Sequence, residues 1–314
     1  MSTNLTAPEF TNEKAAIAHI EASRWPDEVN CPLCGSTNVH RMEGKTQAGY
    51  FLCNDCRDKF TCRTGTVMER SHIPLHKWLL AIHLLNTGKN GVSTHEIHRN
   101  LGISYKSAWF LTHRIREAMI ETSPSPMGGE GHSIQADETY FGNTRRAKSY
   151  RKGHKHKASV VALVEPQGRA RAFHVKTATA ETVRQILVTN ARRSSELHTD
   201  ESRLYGKVGK EFAAHKTVEH GVNRRGFYVG KDGQTTNAVE NFFGNFKRSM
   251  KGTYRFCGEQ HLQRYLNEFQ FRHNNRIGLG VNDTERAART LKGIEGKRLT
   301  YRRPNSDQEQ ETIR

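Results

Sequence analysis

The sequence lacks any apolar run long enough to cross a bilayer. The longest, Trp78 to Leu85, is interrupted by His83, whereas a spanning helix needs about 20 apolar residues. It also lacks a basic segment followed by an apolar one near its start, so no secretory signal is expected. Acidic residues are scarce: 32 Asp plus Glu stand against 49 Lys plus Arg, a formal charge of +17. That excess favours a polyanionic partner, nucleic acid before an anionic membrane surface. The expected location is the cytoplasm, at the nucleoid in a bacterial cell. Cysteine is limited to six residues. Four of them form two Cys-x2-Cys pairs, which in a chain without a secretory signal reads as metal rather than disulfide.

With 314 residues, 35% of them apolar, and a mean hydropathy of −0.77, the chain is polar but foldable. It has room for about two domains. Residues 1–29 contain a leading helix over Glu13–Trp25, stopped by Pro26. Residues 30–62 follow, with Cys31 and Cys34 separated from Cys53 and Cys56 by 18 residues. Each pair places two thiolates on one ion, and two such turns complete a tetrahedron. Tyr50, Phe51, Leu52 and Phe60 supply short strands, so the segment is predicted to be a zinc ribbon. Four thiolates leave no open position for water, so the one Zn2+ is structural. Cys62 and Cys257 are read as buried or idle thiols.

Residues 63–121 are helical in pattern. Trp78, Leu79, Ile82 and Leu85 share one face of a helix opened by Pro74. Leu101-Gly102-Ile103-Ser104 has the form of a tight interhelical turn, and Ser104 caps a helix carrying Ala108, Leu111, Ile115 and Met119. This is the layout of a helix-turn-helix, whose second helix would present Tyr105 and Lys106 to DNA; an ordinary helical hairpin is the alternative. Residues 122–131, TSPSPMGGEG, are predicted to be a linker.

Residues 132–281 are expected to form one α/β domain: strands over Ser133–Phe141, Lys157–Val164 and Ala170–Val175, a helix over 178–195, and a strand over Glu196–Asp200. Residues 203–235 give no ordered pattern. In the helix that follows, Val239, Phe242, Phe243, Phe246 and Met250 recur at 3.6-residue spacing, and Glu240 and Lys247 fall on the edge of that stripe. A further helix covers Glu259–Asn275. Residues 282–314 read as a polar tail, disordered at its end. The basic run 145–157 contains Arg145, Arg146, Lys148, Arg151, Lys152, Lys155 and Lys157 without an acid. It reads as a phosphate-binding loop or as a solvated one.

The order of these elements is that of an RNase H-like fold, in which the first and fourth strands lie side by side. Carboxylates on those strands then meet one from a later helix. Asp137, Asp200 and Glu240 occupy the three places. Glu138 is expected to point to the other face of its strand, and Glu201 is the rival of Asp200. Clustered carboxylates repel unless cations neutralise them. Hard divalent ions suit oxygen ligands, Mg2+ (or Mn2+) foremost, and two of them would serve phosphoryl transfer.

ADETYFG, LHTDES, NAVENFFGNFKR with HLQRYLNEFQFRHNNR after it, and RWPDEVNCPLCGS together resemble the DDE-type insertion-sequence transposases that carry an N-terminal zinc ribbon, the ISXO-like group. The resemblance runs over roughly residues 10–280. It maps the family's three acids onto Asp137, Asp200 and Glu240, separated by 62 and 39 residues, and its lysine onto Lys247 after six intervening residues. Some members are described with Asn as the third ligand, and Asn237 and Asn241 flank Glu240. The resemblance implies cleavage and strand transfer of double-stranded DNA at terminal inverted repeats, with transposon ends and target as partners, in a homo-oligomer on DNA. Lys251, Arg255 and Arg264 are then expected on flanking backbone. A DNA-binding regulator with a degenerate domain, or an RNase H-like nuclease, are the alternatives.

Overall fold

The computed structural model describes residues 4–44, 49–142, 157–218 and 233–300. The chain forms two compact units. One comprises the residues up to Thr87, Thr94–Met119 and those from Ala287 onward; the other comprises Gly88–Ser93 and Ile120–Arg286.

In the first unit, a single turn, α1 (Pro8–Thr11), leads into α2 (Glu13–Arg24). The Asn12 side chain caps α2 by accepting from the Lys14 and Ala15 N–H groups. Strands β1 (Val39–Arg41), β2 (Tyr50–Cys53) and β3 (Lys59–Thr61) pair antiparallel. Phe51 and Phe60 stack at 5.4 Å and Trp25 meets both edge-on, giving this small sheet an aromatic core. Helix α3 (Leu75–Thr87) buries Trp78, Leu79, Ile82 and Leu85, as its periodicity requires. Its first N–H groups, at Leu75 and His76, are satisfied by the Glu13 carboxylate of α2. Helices α4 (Thr94–Leu101) and α5 (Tyr105–Ala118) enclose the tight turn, with Gly102 at φ +58° and Ser104 accepting from Ser107 N–H.

The polar tail expected from residue 282 is corrected by the structure. Asp283–Lys292 is a helix, α9, and Leu291 and Ile294 are buried. Val67 N–H donates to the Ile294 carbonyl, and Arg24 pairs with Glu295 at 2.6 Å. A few well-placed apolar residues suffice to anchor a segment whose average composition is polar. Residues 301–314 lie outside the described residues.

The second unit is built on a five-stranded sheet in the order β6-β5-β4-β7-β8. Strands β4 (Ser133–Phe141), β5 (Ala158–Val164) and β6 (Ala170–Val175) form an antiparallel meander. Helix α6 (Ala180–Asn190) crosses over to β7 (Glu196–Asp200), which runs parallel to β4, and β8 (Ala214–Val218) runs parallel to β7. This strand order and sense are those of the RNase H-like fold. β5, ASVVALV, is buried at every residue, as a central strand covered on both faces must be. On one face Val160, Ala162 and Val164 pack against α7 (Asn237–Ser249) and α8 (Leu262–Asn274). On the other, Ile134, Ala136, Val161 and Leu163 meet Val183 and Leu187 of α6.

Two sequence expectations change here. Strand β8 falls in the stretch read as irregular. The segment 122–131 is no free linker: Met127 is fully buried and bonded through both its backbone groups. A side chain on Gly128 (φ +72°) would collide with Ser195, so its glycine serves close packing rather than flexibility.

Helix α8 also does something no periodicity reveals. Gln263, Gln270 and Asn274 lie along the outer edge of β6. They exchange hydrogen bonds with the backbone of Ala170, Ala172 and His174.

Candidate functional site

The register between β4 and β7 assembles the site. Ser133 faces Glu196 and Gln135 faces His198, where the ladder ends. Continued by one more same-face pair, it would set Asp137 beside Asp200. The two aspartates therefore emerge on one face, as neighbours, at the point where the strands part. Gln135 then fixes the third element. Its Oε1 accepts from the Ala238 and Val239 N–H groups at the start of α7, so a buried strand amide caps the helix that bears Glu240. The α7 stripe Val239, Phe242, Phe243, Phe246 and Met250 is buried throughout, which turns Glu240 toward the aspartates. Asp137, Asp200, Thr236 and Glu240 line one cavity of about 270 Å3. The Thr236 hydroxyl donates to Glu240. Glu201, the rival of Asp200, is exposed.

Electrostatics follow from the crowding. Burial, then the neighbouring Glu138 and Asp200 carboxylates, push Asp137 up to about 7 against the lowering effect of the Glu138 N–H. A carboxyl only about half ionised at neutral pH belongs to a set short of positive charge. An all-oxygen donor set of this kind fits a hard divalent cation.

Glu138 departs from its expected placement. Its backbone does alternate to the opposite face, opposite Val161. Its carboxylate nevertheless lies with those of Asp137 and Asp200, one oxygen of each within 4.8 Å of the others. Tyr205 and Ser202 bond it there. Sequence reasoning missed Glu138, Gln135, Thr236 and Tyr205. The one available signal was Gln135, an amide in the apolar lead-in to Asp137.

The second cluster is local. Cys31, Cys34, Cys53 and Cys56 converge, with Sγ–Sγ separations of 3.7 Å for Cys31–Cys56 and 3.6 Å for Cys34–Cys53. Zn–S bonds of about 2.3 Å in a tetrahedron require sulfurs about 3.8 Å apart, so the four thiols fit zinc. The two turns repeat one geometry. Gly35 N–H returns to the Cys31 carbonyl and Arg57 N–H to that of Cys53, both residues at positive φ. Cys62 is buried apart from the cluster, its thiol pushed up to about 11 by burial.

Among the basic residues, Lys247 is half-buried on α7, and Lys251 and Arg255 are exposed just past its end; Arg264 is half-buried on α8. Tyr105 and Lys106 are exposed at the start of α5, and Lys157 just before β5. Arg145, Arg146, Lys148, Arg151, Lys152 and Lys155 lie outside the described residues. Among the described residues, no helix is long and apolar enough to cross a membrane.

Residues 128–274 match the ISXO2-like transposase domain, and residues 11–59 match the transposase zinc-ribbon domain. The chain belongs to the ISXO2-like insertion-sequence transposases. An uncharacterized protein in transposable element ISH50 of Halobacterium salinarum is 27% identical to this transposase over 281 residues, 84% of this chain and 91% of the relative. Two solved structures resemble it more remotely. A chain of the simian T-cell lymphotropic virus intasome in complex with PP2A regulatory subunit B56 gamma has 14% identity and a TM-score of 0.28, covering 55% of this chain and 63% of that one. The Mos1 strand transfer complex has 12% identity and a TM-score of 0.27, covering 63% and 70%. At such scores the fold assignment rests on the transposase's own strand order.

Proposed function

We propose that this transposase cleaves DNA at the terminal inverted repeats of its element and transfers the freed strand to a target, using Asp137, Asp200 and Glu240 as its acidic set. The observation that carries this reading is the convergence of those three carboxylates on one cavity, two by strand register and one by a helix anchored to the same strand. It also weighs against a regulator with a degenerate domain, which has no need to keep three mutually repelling groups together.

The acids would hold two divalent cations, Mg2+ or Mn2+, whose chemistry when bound is activation of an attacking water or 3′-hydroxyl and stabilisation of the leaving oxygen. The protein's own contribution is positional. Gln135 sets the start of α7, and Thr236 orients Glu240. Lys247, two turns along the same edge, would contact a DNA phosphate beside the scissile bond. Lys251, Arg255, Arg264 and the basic run ending at Lys157 would track the flanking backbone. The four cysteines would hold one structural Zn2+. The α4–α5 turn would present Tyr105 and Lys106 to the duplex, and pairing of two ends calls for a homo-oligomer.

The test is a labelled duplex carrying the element's end, incubated with the purified protein and Mg2+ or EDTA and resolved on a denaturing gel. Mg2+-dependent nicks at the end, with joined products, are expected. A duplex that is bound but stays intact with both Mg2+ and Mn2+ overturns the catalytic reading.

A further inference from the structure

We propose that Glu138 is a fourth carboxylate of this centre, completing a second cation position with Asp137 and Asp200 while Glu240 completes the first. This rests on Asp137 and Asp200 being cation ligands.

The argument begins with strand geometry. Residues 137 and 138 must leave β4 on opposite faces, and their partners confirm it. Asp137 faces Ala162, in the core beneath α7; Glu138 faces Val161, in the core beneath α6. Two adjacent carboxylates ordinarily stay a sheet thickness apart. Here the β4–β7 ladder stops at Gln135 and His198, so among the described residues no strand pairs with β4 on that side of residues 137 and 138. Glutamate, one methylene longer than aspartate, reaches through that opening.

Its final position is imposed. The hydroxyl of Tyr205, a residue with no solvent exposure, donates to Glu138 Oε2 at 2.8 Å, and Ser202 Oγ lies 3.5 Å from Oε1. Ser202 is tied to the other side of the site, since its N–H donates to Asp200 Oδ1 at 3.1 Å. The turn after β7 thus orients Asp200 and Glu138 together. Each carboxylate oxygen accepts more than one partner, so these bonds leave room for a cation.

The result is two overlapping sets. Oxygens of Asp137, Glu138 and Asp200 lie within 4.8 Å of one another. Ligands of one octahedral Mg2+ at about 2.1 Å sit roughly 3–4.2 Å apart, so a small contraction closes that set on an ion. Glu240 shares the cavity with both aspartates, from the α7 side. The two aspartates are common to both sets, and each glutamate serves one.

The experiment is a Mn2+ titration followed by electron paramagnetic resonance on the zinc-loaded full chain without DNA. It compares wild type with E138Q, E138D, Y205F and D137N. E138Q is expected to weaken Mn2+ binding at one position by at least about tenfold. E138D, which keeps the charge but loses the reach, should do likewise. Y205F, which keeps the carboxylate but loses its orienting donor, should weaken binding by about tenfold. Circular dichroism verifies folding, and E138D and Y205F carry the test if E138Q does not fold. If the Glu138 and Tyr205 variants titrate like wild type while D137N is weakened, Glu138 is no ligand and the reading of Asp137 stands. If D137N is also unchanged, the cation reading of the whole pocket is lost.

Discussion

Among the described residues, two clusters of like-charged ligands are built in opposite ways. The cysteine cluster is local: two copies of one four-residue turn, each closed by its own backbone bond, at Gly35 and at Arg57. The carboxylate cluster has no local unit. Asp137 and Asp200 meet through strand register, Glu240 through a helix cap, and Glu138 through a hydroxyl 67 residues away. The first can fail only with its own fold element, whereas the second can lose its geometry while the fold survives.

The comparison can be broken most severely at the cysteines. Cys53→Ser should abolish zinc retention, measured by elemental analysis, and unfold the β1–β3 sheet, read as lost amide protection. Metal binding by such sites is worth about 10 kcal/mol or more and is folding free energy. Hydrogen exchange in β4–β8 should stay unchanged.

The carboxylate cluster predicts the reverse sign. Burial and the neighbouring carboxylates push Asp137 up to about 7 in the folded chain, against about 3.9 when unfolded. Between those values the folded state binds more protons, so stability falls as pH rises from about 4 to about 7. Asp137→Asn removes that loss. In zinc-loaded protein free of Mg2+ and Mn2+, calorimetry should find the variant melting higher than wild type at pH 8, by about 2–5 °C, and level with it at pH 4. Strand cleavage should be abolished while duplex binding persists. A variant that melts lower at pH 8 would mean that the carboxylate is a structural asset.

A finer probe is Gln135→Ala. It removes two hydrogen bonds to the first turn of α7, at a cost of about 1–2 kcal/mol. Because Glu240 rides on that turn, cleavage should fall by more than the stability change explains. Equal losses would make Gln135 a core residue only.

The same contrast explains what could be read from the chain alone. The knuckles and the α7 stripe were legible because each is a short-range spacing. Strands β4 to β7 were legible as apolar or alternating runs. Strand β8, AHKTV, was not, because an edge position leaves its His and Lys partly exposed and blurs the alternation. Glu138 was misplaced because alternation describes where a backbone points a side chain, not how far a long one travels through a gap in the sheet. The packed segment 122–131 and the anchored helix α9 were misjudged from composition, which registers average polarity and misses single buried anchors such as Met127 and Ile294.

The row of amide side chains that α8 lays along β6 has a consequence for how copies of the protein can join. An exposed strand edge is a template on which another chain can add a strand. At β6 the template is already occupied by Gln263, Gln270 and Asn274, so a subunit cannot extend the sheet from that side without first displacing them. Any assembly that brings two DNA ends together must be made through side chains or through other surfaces, leaving each subunit's sheet a closed account on that edge.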